Sequence, residues 1–269
     1  MNIYKYQSIG NDFILLDWLD LPAVKIAQSI TNPEWPAHVR SLCNRQTGIG
    51  ADGVLIISKQ HEHTEVLIFN ADGSNGQKCL NGLRCAALHL VNKRNYPQTL
   101  QLAMHKQHIT CIVDPTSGLI TINAGTAIYQ QPQQITVANN TLNGHIIDTG
   151  NPHFVIMQKV QLNWLKQYGS EIEHHKLFPN RTNVEFVWHN QEASKLQHTK
   201  VYGALVYERG CGITQACGTG AAAIMQTLLH QQIVTHNEPV SIKMPGGIIN
   251  SHINNNNEII QSATAKLCS

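Results

Sequence analysis

Tyr207-Glu208-Arg209-Gly210-Cys211-Gly212-Ile213-Thr214-Gln215-Ala216-Cys217-Gly218-Thr219-Gly220-Ala221-Ala222-Ala223 closes the apolar run that begins at Val201. It reads as a strand ending in a polar turn, followed by a cysteine at the mouth of a small-residue helix. Such a mouth offers free N–H groups and the positive end of the helix dipole, which lower a thiol pKa and bind a carboxylate in one place. Alone, the stretch reads equally well as a buried structural cysteine.

Upstream lies a second copy, in which Phe69-Asn70-Ala71-Asp72-Gly73 leads to Cys79-Leu80-Asn81-Gly82-Leu83-Arg84-Cys85. Nine positions separate Asn70 from Cys79, and nine separate Glu208 from Cys217. The two cysteines are 138 residues apart, while Gly10-Asn11-Asp12-Phe13 and Gly150-Asn151-Pro152-His153-Phe154 repeat at 140. Two landmarks sharing nearly one offset imply an internal duplication. The expected fold class is therefore α+β: two pseudo-symmetric α/β halves, each a curved mixed sheet around a principal helix, with the active site in the cleft between them. The expected halves are 1–125, completed by the strand 260–269, and 126–259.

Composition narrows the function. The chain has 269 residues, enough for two ordinary domains, and 19 basic against 17 acidic side chains leave a formal charge of +2. No basic run suits nucleic acid or a membrane surface, so neither is an expected partner. The first residues lack the form of a signal peptide and no apolar run approaches the length of a membrane span, so a cytoplasmic protein is expected. Seven cysteines without a C-x-x-C pair point to free thiols. His61-Glu62-His63 and His174-His175 lie in polar stretches without the spacing of a helical zinc pair, and a metal site is not expected.

Taken in order, residues 2–17 predict a hairpin, and Ala23 to Cys43 a helical stretch interrupted by proline. Arg45 to Gly53 is glycine-rich but is followed by the strand-like Val54-Leu55-Ile56-Ile57, so it is not a phosphate loop. Strands are expected at Val66–Phe69, Leu100–Met104, His108–Val113 and Leu119–Ile122, with a helix from Cys79 to about Asn92. Gln130 to Asn143, polar and rich in Gln and Asn, reads as the connection between the halves. The second half repeats the pattern, with a helix near Asn163 to Lys176, a strand at Asn183–Val187, the opening motif, and two late strands around Met244-Pro245-Gly246-Gly247.

Two pseudo-symmetric halves normally present equivalent residues to a shared cleft, here Cys79 and Cys217. A substrate carboxylate held at the helix mouths would place its α-carbon between the sulfurs. One thiolate could then remove the α-proton from one face while the other thiol returns a proton to the opposite face. His153 and Glu208 are the candidate bases for preparing the thiolates.

Together, Gly10-Asn11-Asp12-Phe13, Gly48-Ile49-Gly50-Ala51-Asp52-Gly53-Val54-Leu55, Asn70-Ala71-Asp72-Gly73-Ser74, Gly150-Asn151-Pro152-His153, Asn183 and Glu208-Arg209-Gly210…Ala216-Cys217-Gly218-Thr219-Gly220 resemble the diaminopimelate epimerase family. The resemblance runs from Gly10 to about Gly247. It implies an isomerase that interconverts LL- and meso-diaminopimelate for lysine and peptidoglycan precursors without pyridoxal phosphate or any other cofactor. By the same resemblance Cys79 and Cys217 are the acid/base thiols, assisted by His153 and Glu208. Asn81, Gly218, Thr219 and the backbone of Leu80 hold the reacting carboxylate. Asn11 and Gly53 line the site, and Asn70, Asn151, Asn183, Glu208 and Arg209 bind substrate, the asparagines and Arg209 gripping its distal end. A small amino acid is the expected partner, and a homodimer is admitted but not required.

The chain departs from the family pattern at several positions. Leu80 replaces the usual glycine after the first cysteine, and would cost about 1 to 2 kcal/mol if that position needed positive φ. Ile213 replaces glutamate, Gln7-Ser8 replaces His-Gly, and Ser262 stands where glycine is usual. Three other readings remain open: a sister racemase of the same fold, a hydrolase with a Cys-His nucleophile, and a non-catalytic amino-acid-binding relative.

Overall fold

The computed structural model describes residues 2–60, 62–105 and 107–268, with Asn2 described by its backbone alone. The chain divides into two units, of which the second is Asn123–Ser262 and the first comprises the residues on either side of it.

In the first unit β1 (Asn2–Ser8) and β2 (Asn11–Asp17) form an antiparallel hairpin, and Gly10 supplies the φ of 84° that its turn requires. The proline-interrupted stretch forms two helices, α1 (Ala23–Ile30) and α2 (Trp35–Cys43). β3 (Gly53–Gln60) pairs parallel with β2 and antiparallel with β4 (His63–Asn70). After α3 (Leu80–Arg94) come β5 (Thr99–Met104), β6 (Gln107–Asp114) and β7 (Leu119–Asn123). These strands lie in chain order. The end of the chain's last strand sits between β7 and β1, with Ala265 N–H on the Gly118 carbonyl (2.9 Å) and Ala265 opposite Ser8, so the sheet closes into a barrel.

The apolar run Val54 to Ile57 in β3 is buried on both faces. Ile14, Leu16, Val54 and Ile56 pack outward against Ile26, Trp35 and Val39 of α1 and α2. Leu55 points the other way, to the first turn of α3. Every residue of α3 from Leu80 to Leu90 is buried, and the helix packs on β1 to β6, which explains why its sequence carries no polar face.

The second unit contains β8 (Ile128–Val137), β9 (Asn140–Asp148), β10 (Pro152–Ile156), α4 (Leu162–Glu173), β11 (Asn183–His189), α5 (Gln191–Gln197), β12 (Lys200–Glu208) and β13 (Gly212–Thr214). It continues with α6 (Gly218–His230), β14 (Val240–Met244), β15 (Gly247–Ile253) and the start of β16 (Ile259–Leu267), the last strand. The strand order is β8-β9-β10-β11-β12-β14-β15-β16, with β13 paired to β12. Helix α6 packs on β8, β9, β10, β11 and β15, while α4 covers the outer layer of Phe154, Ile156, Val184 and Phe186 through Leu165 and Ile172.

Three features differ from the sequence reading. Gln130 to Asn143 is not a connection but most of the β8–β9 hairpin, in which Ile135, Val137 and Leu142 are buried and alternate with exposed polar residues. A half-solvated antiparallel pair hides its apolar face inside a polar composition. Helix α5 was not expected; Asn190 caps it by accepting from Ala193 N–H at 3.1 Å. At three residues, β13 is too short to show alternation. Among the described residues no helix is long and apolar enough to cross a membrane.

Candidate active site

Cys79 is the N-cap of α3, with φ −127° and ψ 102°. Its Sγ accepts from Gly82 N–H at 3.4 Å, and its own N–H donates to Met104 Sδ at 3.4 Å. Gly82 is required here, because a Cβ would lie 2.9 Å from Leu55 Cδ2 and would crowd the sulfur's partner. Asn81 is buried, donating to Asn11 Oδ1 (3.4 Å) and accepting from Arg84 Nη1 (2.6 Å). Asn11 in turn donates to Asp52 (2.8 Å), and Arg45 and Lys5 clamp Asp12, with Arg45 also reaching Asp52. The hairpin tip and the glycine-rich loop are thereby tied beside the first helix mouth. Gly53 lies opposite Asn70, and a Cβ on it would meet the Phe69 carbonyl at 2.6 Å. The Asn70 amide donates to Ser74 Oγ (3.0 Å). Leu80 is the first residue of α3 and takes no left-handed backbone, so the strain conditional on positive φ is absent and its side chain is buried.

Cys217 is the N-cap of α6 in nearly the same conformation, with φ −128° and ψ 114°. Sγ accepts from Gly220 N–H at 3.3 Å and its N–H donates to Met244 Sδ at 3.3 Å. Gly218 and Thr219 occupy the first turn, ahead of the internal bond from Ala221 N–H to the Cys217 carbonyl (3.0 Å). Asn151 donates to Thr219 Oγ1 (3.4 Å), as Asn81 joins Asn11 in the first unit, and accepts from Thr149 (2.7 Å). Asn183 braces backbone, donating to the Pro152 carbonyl (2.8 Å) and accepting from Arg209 N–H (2.9 Å). Arg209 Nη1 donates to the Asn180 carbonyl (3.1 Å). Burial pulls the Arg209 pKa down against the nearby Glu173 carboxylate.

His153 lies in β10, fully buried, with Nδ1 2.7 Å from Oε1 of the equally buried Glu185. Glu208 Oε1 accepts from Thr214 Oγ1 at 2.5 Å. Burial raises the Glu208 pKa, the Glu185 charge adds to the rise, and hydrogen bonds from Thr214 and Cys217 oppose it. Burial likewise holds the Cys217 pKa well above the usual thiol value; the Glu208 and Glu185 charges add to this, and contacts from Thr219 and Gly220 N–H act against it.

The first thiol has the opposite setting. Arg84 is wholly buried near Cys79, Cys85 and Cys111; burial pulls its pKa down to about 10, and these thiols favour its charged form. The structure therefore groups Cys79, Leu80, Asn81, Asn11, Gly53 and Asn70 in the first unit, and Cys217, Gly218, Thr219, Asn151, Glu208, His153, Asn183 and Arg209 in the second.

Sequence reasoning passed over Glu185, Arg84 and the paired methionines. Glu185 interrupts an otherwise apolar strand, and Met104 and Met244 repeat at the same 140-residue offset as Asn11 and Asn151. Of the histidines considered for metal, His61 lies outside the described residues, and His63 packs on His108 with centroids 4.4 Å apart. Among the described residues no three His, Cys, Asp or Glu side chains are grouped to hold a metal ion.

Comparison with known proteins follows the same pattern. The chain matches the family model described as diaminopimelate epimerase over residues 3–130 and 145–267. It is 34% identical to the diaminopimelate epimerase of Carboxydothermus hydrogenoformans, over 92% of this chain and 90% of the relative. It is 30% identical to that of Halothermothrix orenii, over 93% and 90%. In fold it is similar to a hydroxyproline epimerase from Agrobacterium vitis, with a TM-score of 0.74, 11% identity, and coverage of 99% of this chain and 90% of that one. The chain belongs to the diaminopimelate epimerase family.

Proposed function

We propose that this protein is an isomerase that interconverts LL- and meso-diaminopimelate by inversion at one α-carbon. The supporting observation is the repeated thiol cap: a cysteine sulfur at a helix N-terminus held by an N3 amide, at 3.4 Å in one unit and 3.3 Å in the other. In this reading both thiols reach one α-carbon from opposite faces. One, as thiolate, takes the α-proton while the other, as thiol, delivers a proton to the opposite face. The helix mouths stabilise the charge that develops on the α-carboxylate, where loss of one preorganised donor typically costs about 3 to 4 kcal/mol. Glu208 accepts a hydrogen bond from Cys217 and is its base, and His153 is the second base.

Two thiols suffice for the inversion, so the reaction needs no pyridoxal phosphate. Arg209 with Asn70, Asn151 and Asn183 suits the second carboxylate and second ammonium of diaminopimelate, groups absent together from lysine, histidine and proline. A cytoplasmic setting in lysine and peptidoglycan precursor synthesis, and assembly as a homodimer, belong to the same proposal.

The test is proton NMR in D2O with a panel of amino acids. The α-proton signal of diaminopimelate should disappear while that of lysine persists. Rapid exchange of lysine, histidine or proline beside inert diaminopimelate would transfer the assignment to a sister racemase, and no exchange with any of them would point to a binding protein.

A further inference from the structure

Glu185 is a buried carboxylate to which the mechanism above gives no role. It sits in the middle of β11, fully buried, with Oε1 2.7 Å from His153 Nδ1. Its Oε2 and the Nε2 of His153 are buried with no hydrogen-bond partner among the described residues. Placing a carboxylate in such surroundings is costly.

The fold does not demand that cost, as the first unit shows. Strand register matches Leu15 with Leu55 across β2 and β3, and Val155 with Glu185 across β10 and β11. The same registers match Phe13 with Gly53 and His153 with Asn183. Each matched residue lies under the glycine that serves its thiol. Leu55 Cδ2 is 2.9 Å from a Cβ built on Gly82, and Glu185 Oε1 is 2.8 Å from one built on Gly220. One scaffold therefore fills the same volume with Phe13 and Leu55 in one unit and with His153 and Glu185 in the other. Since an apolar pair satisfies the architecture, the polar pair is retained for what it does.

A carboxylate at Nδ1 selects the imidazole tautomer that carries its proton there and leaves the lone pair on Nε2. Nε2 is the atom without a partner. We propose that Glu185 is a positioning residue that accepts the Nδ1–H of His153 and so presents Nε2 as the proton-accepting atom of the second base. This rests on the preceding reading of His153 as a base.

The experiment compares wild type with Glu185→Gln, Glu185→Leu and His153→Phe, using α-proton exchange of diaminopimelate and nitrogen NMR of histidine-labelled protein. In Glu185→Leu, kcat should fall on the order of 100-fold, with KM within roughly threefold of wild type. Glu185→Gln keeps an oxygen for the Nδ1–H and should recover about tenfold of that loss. His153 should carry its proton on Nδ1 in wild type and Glu185→Gln, and lose that preference in Glu185→Leu. A wild-type kcat in Glu185→Leu, or an Nδ1-protonated His153 that persists there, overturns the role of Glu185. If Glu185→Leu does not fold, Glu185→Gln decides, since a His153 that loses its Nδ1 proton preference in this near-isosteric variant also overturns it. An unchanged rate in His153→Phe instead strikes the base reading, and this inference with it.

Discussion

The two thiol caps are nearly superposable in conformation, yet their surroundings are opposite in charge. Cys79 and Cys217 share φ and ψ to within about 12°, the same amide partner and the same methionine behind the backbone N–H. At matched positions the first unit has Arg84, Leu55, Phe13, Asn70 and Ala71, where the second has Ala222, Glu185, His153, Glu208 and Arg209. Duplication has preserved what holds each sulfur, while the charged and polar groups around it, those proposed to set its proton and grip the substrate, have diverged. The cap is architecture, and the charge around it is specialisation.

The comparison breaks most completely at the sulfurs. If both caps are needed for inversion, Cys79→Ala and Cys217→Ala should each lower epimerisation by about 10⁴-fold or more, whereas Cys43→Ala and Cys111→Ala, neither of which stands at a helix mouth, should keep it. Near-normal turnover in Cys79→Ala would leave only a one-base mechanism.

Next comes the proposed grip on the distal end of the substrate, assigned to Arg209 of the second unit. If Arg209 holds the distal carboxylate with both prongs of its guanidinium, as proposed, an ammonium cannot reproduce the contact, and Arg209→Lys should raise KM for diaminopimelate by roughly 10- to 100-fold with a smaller change in kcat. An unchanged KM would make Arg209 a structural brace on the Asn180 carbonyl.

A smaller effect separates the two glycines. Gly220→Ala forces a methyl against Glu185 Oε1, and Gly82→Ala forces one against Leu55 Cδ2, at 2.8 and 2.9 Å. Displacing a leucine disturbs packing, but displacing Glu185 also disturbs His153. Gly220→Ala should therefore lower kcat about tenfold more than Gly82→Ala, with thermal unfolding measured alongside. Equal losses would mean that the buried carboxylate acts only as filler.

The smallest expected effect is in the reactivity of the resting thiols. Burial and two carboxylates favour the protonated form of Cys217, so its thiolate fraction near neutrality is below that of an ordinary thiol, and its alkylation should keep accelerating above pH 9.0, the ordinary value. Cys79, more exposed and close to Arg84, should react severalfold faster with iodoacetamide at pH 8 or so. Site-resolved mass spectrometry would show it, and a faster Cys217 would reverse the assignment of surroundings.

Much of this was legible in the chain. The caps and the duplication could be read because Cys-x-polar-Gly before a small-residue run has few other physical meanings, and because the offsets agree. The outer helices and most strands followed from apolar runs bounded by proline and glycine. What escaped depends on partners distant in sequence. Glu185 meets His153 across 32 residues, and Cys217 meets Met244 across 27. Without the register of β10 and β11, Glu185 is only an acidic residue in a strand, and Arg84 only a polar residue in a helix whose complete burial its neighbours cannot reveal. Most of the β8–β9 hairpin was missed because the buried residues between Gln130 and Asn143, namely Ile135, Val137 and Leu142, are outnumbered by exposed polar residues.

The path of β16 has a consequence for biosynthesis. The segment that seals the first barrel between β7 and β1 begins at Ala263 and is separated from the rest of that barrel by all of Asn123–Ser262. On the ribosome, the first unit must therefore wait as an open sheet, with β1 and β7 unpaired along one edge, until the second has been made. The usual order, in which the earlier domain finishes first, is inverted here. The final ring closure joins Tyr6 to Leu267 around a loop that holds the whole second unit, so its entropy cost falls at the end of folding.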